Sequence, residues 1–148
     1  MPSGETAMVR SIEVDSDPSD WAVAGQNVVL NIANIDPIHL RSGDVVCRPS
    51  SPIPTITTFT TKVLAFEHLM PMQVDVHRGR LHVPARISKL VASLDKASGA
   101  AIKKRPKIVA PGTVARIVVE MDHAVPLEAP TRIVLRSGGS TVAAGLLE

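Results

Sequence analysis

The amino-acid sequence predicts an all-β fold, a barrel or a sandwich, and three observations carry that expectation. Val, Ile and Thr are abundant, with 12 Pro and 9 Gly as punctuation, which favours many short strands. In Val114–Met121, Ala115, Ile117, Val119 and Met121 fall on one face, with Arg116 and Glu120 on the other, the pattern of a half-buried strand. In the last eighteen residues two apolar runs flank Ser137-Gly138-Gly139-Ser140, and adjacent glycines suit a two-residue hairpin turn that needs positive φ.

Taken in order, Met8–Val14 alternates, with Met8, Arg10, Ile12 and Val14 on one side. Asp15–Asp20 reads as a charged turn containing Pro18, Asn27–Ile32 as a second strand introduced by Gly25, and Asp44–Cys47 as a third. Three short strands cannot close a filled barrel, so this piece looks incomplete by itself. Arg48–Pro54, with three prolines, is the linker candidate. Strands then resume at Thr57–Phe66, Gln73–His77, Leu81 onward and Val114–Met121.

Leu81, Val83, Ala85 and Ile87 alternate, but Ile87, Leu90, Val91 and Leu94 have helical spacing with Gly99 as a stop. Spacing leaves a helix and a strand with a bulge near Ser88–Lys89 equally open. The terminal hairpin pairs Arg132–Arg136 with Thr141–Leu147. Ile133 and Leu135 share one face of its first strand, and Arg132, Val134 and Arg136 the other. The two guanidiniums then stand roughly 13 Å apart at strand rise, a surface suited to carboxylates or phosphates.

Composition sets bounds on function. The 148 residues can bury a real core, which is built from aliphatic side chains because aromatics are 2%. The net charge of +2 permits an RNA or acidic partner without arguing for one. Cys47 stands alone, so no internal disulfide forms, and a reducing compartment is the simplest reading. No run approaches the roughly 20 apolar residues of a membrane span, and the N-terminus lacks a signal-peptide centre. A cytoplasmic protein is expected.

Chemical motifs are mostly missing. There is no GxxxxGK[ST], GxGxxG or GxSxG, hence no usual nucleotide loop or nucleophile elbow. Five His and one Cys occur without Cys-x-x-Cys or His-Glu-x-x-His, so the histidines read as surface or hydrogen-bonded residues and no metal site is assigned. His77 and His82, five apart, would face opposite ways on one continuous strand, although a turn at Arg78-Gly79-Arg80 changes that. Lys103-Lys104-Arg105-Pro106-Lys107 is the densest positive run, either a solvated loop or a contact for an RNA backbone. No aromatic residues interleave with it, which weakens single-strand binding.

Several stretches together resemble the translational GTPases of the elongation factor one-alpha class. Phe59-Thr-Thr-Lys-Val-Leu64 is similar to the opening strand of their third domain, and Asp75-Val76-His77 with His82 to a histidine-bearing strand there. Leu94-Asp-Lys-Ala-Ser-Gly99, then Lys103 to Val109, then Pro111-Gly112, resembles a further series in that domain. Val9 to Val14, Gly25 to Val28 and Arg41 to Val45 resemble the second half of the second domain. Within the superfamily, His77 to Pro84 and Leu135 to Gly145 are most similar to HBS-type ribosome-rescue GTPases, particularly a fungal member. The chain has Thr131-Arg132-Ile133 where relatives often have Gly-Arg-Phe, and it lacks their Pro-Gly before Gln73.

The resemblance implies an antiparallel six-stranded β-barrel over residues 55–148, preceded by a linker at 51–54 and part of a second β-barrel over 1–50. It resolves Leu81–Leu94 as strand. It implies a chain that carries docking, not catalysis, with GTP and Mg²⁺ held in a GTPase domain elsewhere in the parent. The expected role is the rescue of stalled ribosomes and mRNA surveillance as a monomer with a Pelota-type release-factor-like protein and the ribosome, away from membranes. Arg132, Arg136, His77, Arg78 and Arg80 become candidates for partner binding. Lys103, Lys104, Arg105 and Lys107 become candidates for RNA or ribosome contact. The equivalent region of a release-factor-three-like or elongation-factor-one-alpha-like protein is the alternative within the superfamily. A free-standing RNA-binding barrel, using Lys103–Lys107 and His77–Arg80, is the alternative of another class.

Overall fold

The computed structural model describes residues 4–148. Met1–Ser3, part of the stretch read above for a signal peptide, lie outside them. Strands β1 (Met8–Val14), β2 (Asp17–Ser19) and β3 (Val28–Ala33) form a three-stranded antiparallel sheet in the order β2-β1-β3. The segment expected as a charged turn is thus a tight hairpin. Asp15 and Ser16 supply its turn at φ 51° and 70°, and short polar side chains tolerate that left-handed region.

Asp44–Cys47, expected as a third strand here, is not one. Extended backbone becomes a strand only by pairing, and no ladder reaches this stretch among the described residues. The Asp44 carboxylate instead accepts from the Arg41 backbone N–H at 2.8 Å, and the Asp44 N–H donates to the Arg41 carbonyl, closing a turn. Before it comes a single 3-10 turn, Pro37–His39, capped by the Asp36 side chain. Among the described residues none before Phe59 is buried, and Trp21 is 69% exposed.

The second sheet closes on itself. Strands β4 (Thr55–Ala65), β5 (Gln73–Arg78), β6 (Leu81–Leu94), β7 (Ala101–Lys104), β8 (Val114–Pro126), β9 (Arg132–Ser137) and β10 (Ser140–Leu147) follow the order β5-β9-β10-β4-β8-β6-β7. An added β5–β6 pairing joins the ends into a closed six-stranded antiparallel barrel, with β7 appended. Closure removes the free edges that an open sheet would leave. Inward residues alternate as the sequence dictates: Ala115, Ile117, Val119 and Met121 on β8, Ile133 and Leu135 on β9. Phe59 is the one aromatic side chain in this otherwise aliphatic core.

β6 is a strand throughout, and its two periodicities have a cause. The register against β8 shifts between Ile87 and Lys89, so the buried phase passes from Leu81, Val83, Ala85 and Ile87 to Leu90. One extra residue at Ser88 creates the three-residue spacing that imitates a helix. A second shift, between Leu90 and Ala92, leaves Ala92 and Leu94 buried but outside the main core. The length of β6 lets one of its edges serve two partners, β5 along Leu81–Arg86 and β7 along Ala92–Leu94.

The terminal hairpin turns through Gly138 and Gly139, at φ 56° and 84°, as its sequence predicts. Further along, β10 runs so close to β4 that a Cβ on Gly145 would fall 1.9 Å from the Lys62 carbonyl oxygen. The Thr61 hydroxyl, fully buried, donates to the Leu146 carbonyl at 2.7 Å and ties the same two strands.

A candidate docking face on the barrel

Alternation on β9 leaves Arg132, Val134 and Arg136 on the outer face. β5 runs antiparallel beside it, pairing Asp75 with Arg136 and His77 with Val134. The two-residue turn Gly79-Arg80 then folds β6 back so that His82 pairs with His77. Three strands therefore bring Asp75, His77, His82 and the two β9 arginines onto one surface. The imidazoles of His77 and His82 stack with centroids 4.4 Å apart and planes 17° from parallel. His82 Nε2 lies 3.3 Å from Asp75 Oδ1.

The electrostatics of this face follow from its neighbours. Burial lowers the His77 pKa below its ordinary value, the contacts with His82 and Arg136 lower it further, and Asp75 partly opposes them. The His77 imidazole is therefore harder to protonate here than in the unfolded chain. Arg136 Nη2 donates to the Gly139 carbonyl, which turns that guanidinium toward the hairpin tip. Arg132 is exposed and forms no ion pair among the described residues. One exposed guanidinium is anchored and the other is available.

Arg78 does not share this face. It follows Val74 and Val76 in the inward phase of β5 and is half-buried, with its Nε 3.4 Å from the Thr131 hydroxyl. Arg80 sits exposed in the adjoining turn. Asp75 and His82 were not among the residues assigned to docking from the sequence. The available signal was the Arg78-Gly79-Arg80 turn, which converts a separation of five into a cross-strand pair.

The second candidate group divides as well. Lys103 and Lys104 lie on β7, Arg105 follows at φ 48°, and Lys107 comes after Pro106, all exposed. The supposed basic loop is thus partly a strand. Lys104 and Arg105 line a groove with Lys89 and Arg116, while Lys103 and Lys107 do not. Arg116 holds the Glu148 carboxylate with both fork nitrogens, at 2.6 and 2.9 Å, and hydrogen bonding to Arg116 lowers the Glu148 pKa.

GTP and Mg²⁺ do not fit the described residues. No group of three His, Cys, Asp or Glu side chains converges to hold a metal, and no glycine-rich loop opens a helix. Among the described residues no helix is long and apolar enough to cross a membrane, which says nothing of strands.

Comparison with known proteins places the barrel. The family model described as GTP-eEF1A C-terminal domain-like matches residues 58–148, more than half of the chain. Protein HBS1 of Drosophila melanogaster is 28% identical over 155 residues, covering 98% of this chain and 23% of that protein. Elongation factor 1-alpha of Saccharolobus solfataricus is 30% identical over 159 residues, covering 99% of this chain and 36% of its own length. The crystal structure of sup35 complexed with GDP superposes with a TM-score of 0.90 at 23% identity, covering 99% of this chain and 38% of that one. At that identity the superposition establishes the fold. This chain thus spans between about a quarter and two-fifths of the proteins it matches. With a closed antiparallel barrel and a family match across nearly all of it, the chain belongs to the GTP-eEF1A C-terminal domain-like family, the C-terminal β-barrel of translational GTPases.

Proposed function

We propose that this chain is the partner-docking end of a larger translational GTPase of the elongation-factor-one-alpha or release-factor-three kind. In this reading residues 55–148 are the third domain, residues 51–54 the linker and residues 1–50 part of the second barrel. GTP hydrolysis belongs to a GTPase domain elsewhere in the parent. The observation that supports docking is the outer face of β9 and β5, where exposed Arg132 stands beside anchored Arg136 and the stacked His77 and His82. Planar guanidinium forks four residues apart on one strand suit paired carboxylates or phosphates on a folded partner. Arg80 contributes from the adjoining turn, Arg78 only by bracing Thr131 beside Arg132, and the ribosome is a second contact in the assembled factor.

A narrower reading is an HBS-type factor acting with a Pelota-type protein on stalled ribosomes. It draws on the similarity to Protein HBS1 of Drosophila melanogaster over 98% of the chain. Co-purification distinguishes these partners: aminoacyl-tRNA, a class-one release factor or a Pelota-type protein, each presented to the tagged 148-residue chain. Arg132→Glu should weaken retention of the true partner about tenfold, a change of one desolvated charge contact, with an unchanged circular dichroism spectrum. Undiminished retention by that variant removes the β9 face from the account.

A further inference from the structure

A second surface lies on the other side of the molecule. In the ring of six, β8 is three strands from β9, so the outer faces of these two strands look in opposite directions. On the β8 side, one rung of the sheet reads Lys104–Ala92–Arg116 across β7, β6 and β8. Adjacent strands are about 4.8 Å apart, so the two cationic residues are rooted about 10 Å from each other with only a methyl group between them. A small residue between two long ones makes a trough with cationic walls. Lys89 and Arg105 extend those walls, and Val91 adds apolar lining beside Ala92.

The charge of this trough is largely uncompensated. Arg116 is paired with Glu148, but Lys89, Lys104 and Arg105 have no carboxylate within ion-pair distance among the described residues. Glu148 itself illustrates the matching ligand, a carboxylate received by the fork of the lining residue Arg116. The apolar floor decides between acidic partners. A nucleic-acid backbone gains nothing from Val91 and Ala92, and no aromatic side chain is present to stack a base. An aliphatic side chain does gain, by removing Val91 from water, since Ala92 beside it is already buried.

We propose that this trough is a docking site for an acidic peptide segment of a partner protein, with carboxylates interleaved among aliphatic side chains. The width matches one extended chain, carboxylates meet the walls, and alternate side chains reach the floor. Because it is opposite the β9 face, it can be filled while that face is occupied.

The test is fluorescence anisotropy on the complete 148-residue chain, using a fluorescein-labelled peptide of roughly ten residues that alternates Asp and Leu. A Lys-Leu peptide and an oligouridine of the same length serve as references. The Asp-Leu peptide should bind in preference to both, and more weakly as salt rises. Lys104→Glu with Arg105→Glu should weaken it about tenfold or more, and Val91→Asp should do likewise. Lys103→Glu, next in sequence but outside the trough, and Arg132→Glu on the opposite face should leave it within about twofold. Equal loss from Lys103→Glu would reduce the effect to diffuse charge and overturn the site. Tighter binding of oligouridine, or no binding of the Asp-Leu peptide at low salt, would overturn it as well.

Discussion

At His77 the cost of a proton depends on the fold. Burial, stacked His82 and nearby Arg136 all disfavour its imidazolium, and only Asp75 favours it. The folded pKa therefore lies below the ordinary histidine value of 6.5. Below that value the unfolded chain takes up the proton more readily than the folded one. The contribution to stability is complete above pH 6.5 and is lost as pH falls through the folded pKa. The urea midpoint should accordingly drop between about pH 7 and 5, and drop less in His77→Gln. An identical pH profile for that variant would exclude His77 as the source. Individual residues were legible where alternation alone places them, as with Arg132 and Arg136. Asp75 and His82 were harder to place, because their position depends on where a two-residue turn folds the chain back. Arg78 was assigned to the docking group because a basic turn carries no mark of which side of the sheet each residue takes.

Among the elements, β6 shows how a bulge hides a strand. Its buried positions keep period two on both sides of Ser88 and change phase there. Deleting Ser88 should remove the first phase change and cost only about 1–2 kcal/mol, whereas deleting Arg86 turns Ile87 outward and Ser88 inward even when the bulge absorbs the shift and should cost more than about 3 kcal/mol. Denaturation midpoints of the two variants check this, and equal losses would refute the bulge as the reason for the spacing. The strand content was otherwise readable: β4, β5, β9 and β10 begin and end near the positions their alternation predicts, and β8 begins there but runs on past Met121 to Pro126. Asp44–Cys47 was misread because a β-like composition does not supply a neighbouring edge. β7 was missed because its two lysines, Lys103 and Lys104, look like loop although only a short pairing with β6 is needed to make them strand.

For the whole molecule, burial divides the chain sharply. No described residue before Phe59 is buried, while the barrel interior is closely filled from there to Leu147. Amide exchange should therefore be slow in β4, β5, β6, β8, β9 and β10 and fast across residues 4–54. Comparable protection in β1 and β3 would show that the small sheet is stable by itself. Ring closure was not readable from spacing, which admits a sandwich equally; it entered through the family resemblance, because the pairing of β5 with β6 is a property of the closed ring. The exposed position of Trp21 has a practical consequence, since the chain has one Trp and no Tyr. Intrinsic emission from the indole should hardly register melting of the barrel, which must be followed by another signal. It should instead shift to the blue when anything covers the small sheet, making the chain a built-in reporter of whatever packs there.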